Sequence, residues 1–278
     1  MIGQIAGALL RAVLVALMVA SPSLLVPDPA SGSSEVIALV ALCFGVFVFI
    51  EYVSTYPSLL EFRDAPPFNR MRFLSLGATV ILVSVITRGR TDPGILTEFV
   101  TAVGLLFGHI LNFPYSPVRL FTLMLTDGAG PSYSNHVLAI AGLSYTITLI
   151  TVCSFAALLY LTRWPSHKKP FNVWINLPTF DPTAGGDVVK QLAQDARLNA
   201  SLGFLLPFLL PLAVYLSALV FDPIALITPQ SLIWTVAAWS FLSTNMLMRG
   251  IAMNRIATMI LEKRKRSFSD GEDVLLPA

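Results

Sequence analysis

Apolar residues in this chain gather into long runs, not into the alternation of a half-buried strand or the single stripe of a soluble helix. Val137–Leu161 and Ala200–Phe221 contain no charged residue at all. A helix rises 1.5 Å per residue, so about 20 apolar residues cross a hydrocarbon core about 30 Å thick. Six stretches are long and apolar enough to do so: Ile2–Val26, Val36–Val53, Phe73–Thr87, Val137–Leu161, Ala200–Phe221 and Ser231–Met248. A seventh, Ile95–Phe113, is weaker, because it holds Glu98, two glycines, His109 and Asn112. The pattern predicts an all-α, polytopic helical membrane protein with six transmembrane helices, or seven in the alternative.

The segments between the runs are read from their breakers. Pro27–Ser34, Asp127–Pro131 and Asp222–Pro229 predict short turns, rich in Pro, Gly, Ser or Asp. Ser54–Arg72 contains Pro66-Pro67, which forbids helix there, since each ring removes a backbone donor and restricts the residue before it. Phe73–Thr87, at 15 residues, barely spans, with Arg72 and Arg88 snorkelling at its ends. Ser116–Thr126 is too short to cross. Arg163–Asn199 is the largest polar stretch, 37 residues. Within it Asp187 can cap a helix, and Val188, Val189, Leu192, Ala193 and Ala196 repeat at helical spacing. They predict a short amphipathic helix lying on the membrane surface. Pro207 and Pro211 sit on one face of the sixth run, as a hinge or a static kink. Past Arg249, the residues Ile251, Ile256, Met259 and Ile260 carry an apolar face onward to Lys263-Arg264-Lys265-Arg266. Residues 1–266 read as one transmembrane domain and 267–278 as a short disordered acidic tail. The first run could also be a signal peptide cleaved after Ala20. The residues before Arg11 are apolar, however, where a signal needs a short basic region, so the helix is retained.

Composition agrees with the membrane reading: 55% hydrophobic, 12% charged and a mean hydropathy of +0.73. Net charge is only +2, but its distribution is informative. Of 18 basic residues, one is Arg11, three lie in Ser54–Arg72, three in Arg88–Asn135, five in Arg163–Asn199 and six from Arg249 onward. Basic residues are retained in the cytoplasm, which puts Arg163–Asn199 and the C-terminus inside and Asp222–Pro229 outside. Ser54–Arg72 also looks inside, yet three apolar runs separate it from Arg163–Asn199. Six crossings with both termini inside place fifteen basic residues in the cytoplasm, and seven crossings place thirteen. The six-crossing arrangement is preferred, with Ile95–Phe113 re-entrant or on the surface. Irregular backbone at that depth requires a covering of protein or a water-filled cavity.

Candidate chemistry is sparse. His109 and His136 are cofactor-binding candidates, for a haem held by two imidazoles, with Asn112, Tyr133 and Asn135 near in sequence. Without an HxxxH or carboxylate pattern no metal site is expected, and no cofactor is assigned beyond that haem alternative. Arg11, Glu98, Asn112 and Asn245 are the intramembrane polar candidates, since ionisable groups at depth are expensive unless paired or hydrated. Ser240, Ser243, Thr244 and Asn245 are read as hydrogen-bonding to another helix. Cys43 and Cys153 fall in apolar runs and are expected to be reduced packing residues. Walker, HExxH, GxSxG and GxGxxG motifs are absent, so no catalytic residue is assigned.

Three functions remain open. The first is a non-catalytic accessory, assembly or scaffold component of a membrane complex. Trp164, Phe171, Trp174 and Phe180, among basic residues, would dock its membrane-protein partner. The second is a small transporter or channel with a re-entrant segment around residues 95–126, and the third is a haem- or metal-binding membrane protein using His109 and His136. The lipid bilayer is the expected environment, in a bacterial inner membrane. Anionic lipid is attracted near Lys263, Arg264, Lys265 and Arg266. Nucleic acid is not an expected partner.

Overall fold

A computed structural model of the chain describes residues 2–26, 34–126, 130–162, 164, 173–178, 180, 186–220 and 228–275. Among them there is no strand. The helices are α1 (Ile2–Leu25), α2 (Ser34–Val53), α3 (Phe68–Arg88), α4 (Ile95–Leu111), α5 (Pro117–Thr126), α6 (Pro131–Thr162), the single turn α7 (Val173–Asn176), α8 (Val188–Val220) and α9 (Pro229–Leu275). Among the described residues, five stretches are long and apolar enough to cross a membrane: Gly3–Leu25, Glu35–Val53, Phe68–Arg88, Pro131–Thr162 and Val188–Ala213.

Several boundaries differ from the sequence expectation. The third run is a comfortable 21-residue helix, because Pro67 sits at its N-terminal cap and Asn69, Arg70 and Arg72 join its first turns. The amphipathic stretch Val188–Ala196 is no separate surface helix but the opening turns of the 33-residue α8. Its apolar stripe is buried against the rest of the chain, with Leu192 at 0% exposure. Ser231–Met248, expected to cross, is not among the five apolar spans found in the described residues, since tryptophans, hydroxyls and Asn245 lower its hydropathy. Instead it contributes Ile233, Val236 and Trp239 to the interior. α9 runs on to Leu275, so most of the tail expected to be disordered is drawn into the helix. Cys43 and Cys153 are free, as expected, but both lie on the outer surface and not in packed positions. The predicted turns at 27–33, 127–129 and 221–227 lie outside the described residues.

One hydrophobic core joins α3, α4, α5, α6 and the first half of α9, with Val83, Ile86, Val118, Phe121 and Ile140 among its buried residues. In lipid the helices gain no hydrophobic advantage from meeting one another, so close backbone approach and interhelical hydrogen bonds become the main adhesives. The α4–α6 crossing depends on glycine. A Cβ on Gly142 would fall 2.3 Å from Gly108 Cα, and one on Gly104 would fall 2.8 Å from the Ala139 carbonyl oxygen. α8 and α9 approach as closely: a Cβ on Gly250 would lie 2.8 Å from the Ala196 carbonyl oxygen.

Polar groups at depth are met by their own helix or by a neighbouring one. Pro211 cannot donate to the Pro207 carbonyl, and Trp239 Nε1 donates to that oxygen at 3.0 Å. Pro22 likewise frees the Met18 carbonyl, which the Ser21 hydroxyl reaches at 2.8 Å. The Thr244 hydroxyl of α9 lies 3.1 Å from that of Thr148 on α6, the interhelical role expected of this polar cluster. The Trp239 ring is flanked by Phe121 of α5 at 4.5 Å and Tyr145 of α6 at 5.8 Å.

A second core forms at one end of the bundle. It unites Phe62 and Phe68, the end of α6 (Phe155, Leu159), Trp164, Leu177, Phe180, the start of α8 and Met248–Ala257 of α9. At the opposite end, Gln230 Nε2 donates to the Val26 carbonyl at 3.0 Å, tying the exit of α1 to the entry of α9.

Replacing Gly142 by Leu should destabilise the protein by about 3 kcal/mol, since overpacking a tight contact forces backbone shifts. Gly3→Ala, where a Cβ meets nothing within 4 Å, should be neutral. Thermal unfolding in a mild detergent checks this, and equal midpoints for the two variants would remove the crossing from the account.

Candidate functional site

The segment between α2 and α3 owes its shape to one carboxylate. Glu51, near the end of α2 and only 4% exposed, accepts from the backbone N–H groups of Ser58, Leu59 and Leu60 and from the Ser58 hydroxyl at 2.6 Å. Four donors on one carboxylate replace the water it has lost. Arg63 Nη1 then donates back to the Glu51 and Ser54 carbonyls, closing the loop onto the helix end. Phe62, at a φ of +53°, is wholly buried, and its N–H bonds the Asn176 carbonyl at 2.7 Å. The Asn176 side chain accepts from Asp64 N at 3.1 Å. Glu61 binds Arg249 of α9 in bidentate fashion, at 2.7 and 2.9 Å. Trp164 Nε1 donates to the Pro66 carbonyl at 2.9 Å, and its own carbonyl accepts from Arg255 at 3.0 Å. Residues 54–67, α7 and its flanks, the α8 start and the second half of α9 thus form one platform.

Between this platform, α1, α2, α3 and Phe241 of α9 lies a cavity of about 580 Å³. Arg11, Arg63, Arg70 and Arg72 line it, together with Tyr52. Its remaining wall is mostly apolar, including Leu14, Val15, Met18, Phe73 and Leu76. Arg63 is engaged with Asp64 at 3.3 Å. The other three arginines have no carboxylate within ion-pair distance among the described residues. Glu61 is near enough to act on Arg72 through its field, but it is clamped to Arg249. Arg72 lies between the Phe68 and Phe241 rings, at 5.5 and 5.6 Å, and donates to Asn69 Oδ1 at 3.2 Å. Its Nε is buried and has no hydrogen-bond partner. Arg11 stands 4.6 Å over the Tyr52 ring and donates to the Gly7 carbonyl. The titratable groups of the lining are these cations and one phenol, an arrangement suited to holding an anion rather than to moving protons near neutral pH.

The candidates read from the sequence are scattered. Arg11 alone reaches the cavity. Glu98 is exposed on α4, beside a smaller hollow of about 280 Å³ with Thr97 and Thr101. Asn112 is exposed at the C-terminal cap of α4, and Asn245 is half-buried on α9. His109 is exposed, whereas His136 is 6% exposed with Nε2 unpartnered, so the two imidazoles occupy unlike settings. Among the described residues no group of three His, Cys, Asp or Glu is placed to hold a metal. Trp164 and Phe180, expected to dock a partner, are buried at 6% and 7%. Their aromatic surface is taken up by the platform's own core, with Trp164 6.0 Å from Phe62. Phe171 lies outside the described residues, and of Trp174 only the backbone, in α7, is described.

Sequence reading used Arg63, Arg70 and Arg72 for topology and missed them as a site. The available signal was their spacing around Pro66-Pro67, with Arg63 before the prolines and Arg70 and Arg72 just after them. It also passed over Gly104-xxx-Gly108, a spacing that marks close helix approach in membranes. Comparison with protein-family models, curated proteins and solved structures finds no match.

Glu61 and Arg249 are 12% and 20% exposed, so breaking their pair strands a largely buried charge. Arg249→Ala and Glu61→Ala should each destabilise by about 3 kcal/mol, and the double variant by less than their sum. Thermal or denaturant unfolding in detergent measures the cycle, and strict additivity would show that the pair is uncoupled.

Proposed function

We propose that the chain is a non-catalytic component of a membrane assembly, with an accessory, assembly or scaffold role in a bacterial inner membrane. In this reading a six-crossing bundle carries a folded cytoplasmic platform and a binding cavity. The observation that carries it is the platform, where residues 54–67, Trp164, α7, α8 and α9 are bonded into one body. Because residues 54–67, Trp164, residues 173–178 and Phe180 belong to that body, an even number of crossings between the first of these and the rest is favoured. α3 then goes out and α6 returns, while α4 and α5 enter and leave by the same face. α1 supports the same count, since its exit lies beside the start of α9, away from the platform. Fourteen of the eighteen basic residues lie in the three segments that contribute to the platform and the helix beyond it, which favours the cytoplasmic side. Lys263, Arg264, Lys265 and Arg266 are exposed and suited to anionic headgroups. A membrane-protein partner would meet the outer surface of the platform or the exposed basic end of α9, since Trp164 and Phe180 are buried.

One observation favours a small transporter as the second reading. α4 breaks at Asn112–Ser116 and α5 packs its Phe121 on Trp239, about half-way between Pro229 and Arg249. A broken segment at that depth is the form taken by many substrate pathways. No geometry favours the haem reading of His109 and His136.

In a background with Cys43 and Cys153 replaced by Ala, Thr55→Cys and Lys265→Cys should label only from the cytoplasmic side and Thr91→Cys only from outside. All three parent residues are exposed. Labelling of Thr55→Cys and Lys265→Cys from opposite sides would rule out the six-crossing scaffold. Co-purification in mild detergent tests the assembly role: a stable membrane-protein partner is expected, and a lone protein favours the transporter.

A further inference from the structure

We infer that the cavity is a binding site for one anionic amphiphile, a phosphate-headed lipid whose acyl chain enters between α1 and α3. The inference rests on the reading of the bundle as membrane-spanning, with the platform at one membrane face. The charged and apolar parts of the wall are segregated along the axis of the bundle. Arg70 and Arg72 stand in the first turns of α3, and Arg11 stands over Tyr52 at the platform end of α2. Leu14, Met18 and Leu76 line the cavity further from the platform, and Met18 approaches Gly77 half-way along α3. A lipid in the platform-side leaflet has the same polarity, with its head at the interface and its tail toward the midplane.

The head class follows from the arginines. Guanidinium groups match phosphate oxygens with paired donors. Arg11, Arg70 and Arg72 have no carboxylate partner within ion-pair distance among the described residues. A buried donor with no acceptor is rare and carries a desolvation penalty. Arg72 Nε is such a donor, at the end of the chamber where Arg63 and Arg70 also stand. A phosphate held between Arg11, Arg70 and Arg72 would offset three cations at once. The tail class follows from size. A chamber of about 580 Å³ is within the range that takes a small ligand, and it suits a headgroup with part of one chain rather than a whole two-chain lipid. The second chain would lie outside, against Leu74, which is exposed at the rim.

The test is native mass spectrometry of the full-length protein in a non-ionic detergent, titrated with dioleoyl phosphatidic acid, dioleoyl phosphatidylcholine or inorganic phosphate. One phosphatidic acid should bind at least tenfold more tightly than phosphatidylcholine, and millimolar inorganic phosphate should not displace it. Arg72→Gln, and separately the double variant Arg11→Gln/Arg70→Gln, should weaken that binding at least tenfold. Met18→Trp, which fills the apolar end, should do the same. Arg197→Gln, an exposed cation on the platform side outside the cavity, should change it less than twofold. Thermal midpoints confirm folding; if Arg72→Gln does not fold, the double variant decides alone. Equal affinity for the two lipids overturns the inference, as does full binding by Met18→Trp or an equal loss in Arg197→Gln. Displacement by inorganic phosphate would assign the site to a free anion and sink the amphiphile. Labelling as proposed above with failure here removes the ligand alone. Binding here with contrary labelling removes the scaffold reading alone.

Discussion

The interior of a bilayer supplies no water, so every polar group this chain carries into it has to be met by another part of the chain. Much of the architecture follows from that constraint. Of the three prolines inside these helices, Pro22 and Pro211 free carbonyls that a serine and a tryptophan reach. The Trp239 indole must lie beside Pro207 to do so, which fixes the rotation of α9 against α8. Phe121 and Tyr145 then have a ring to pack on, and α5 and α6 are fixed in turn. The close approaches at Gly142 and Gly250 serve the same end, since backbones that touch exchange dispersion contacts that lipid cannot improve on.

At the platform the constraint relaxes and charge takes over. Glu51 is the organiser, because a carboxylate with four donors is both neutralised in effect and immobile. It folds residues 54–67 into a fixed shape, Glu61 fastens that shape to α9, and Asn176 fastens it to α7. The cavity is the space left between a rigid loop and the less buried α1–α2 hairpin. Its Arg72 Nε, like His136 Nε2 on α6, is buried without a hydrogen-bond partner among the described residues.

Helical class and element positions were legible in the sequence, because run length and apolarity respond directly to membrane thickness. Boundaries were less so. The opening turns of α3 and α8 mix charge with apolar residues, and only the tertiary burial of Leu192 and Phe68 makes them helix in continuity with a span. The burial of Trp164 was not legible for the same reason: an aromatic among basic residues looks alike whether it faces a partner, a headgroup or its own chain. The arginine cavity was invisible as a site because its walls come from α1, α2, α3 and α9, and no local spacing records which helices become neighbours. Gly104-xxx-Gly108 was legible and was passed over.

α9 belongs to both cores. It gives Ile233, Val236 and Trp239 to the bundle and Met248, Met253 and Ile256 to the platform, with no proline between them. Mechanically it is a single stiff beam through two bodies, so neither can turn independently of the other. From Arg249 to Arg266 the beam extends about 25 Å at the helical rise per residue. A tilt of about 10° at Arg249 would sweep the basic end through roughly 4 Å by that length. Arg264 near that end pairs with Asp187 at the entry of α8 at 2.7 Å, so a rearrangement among helices in the membrane would be delivered to both helices together.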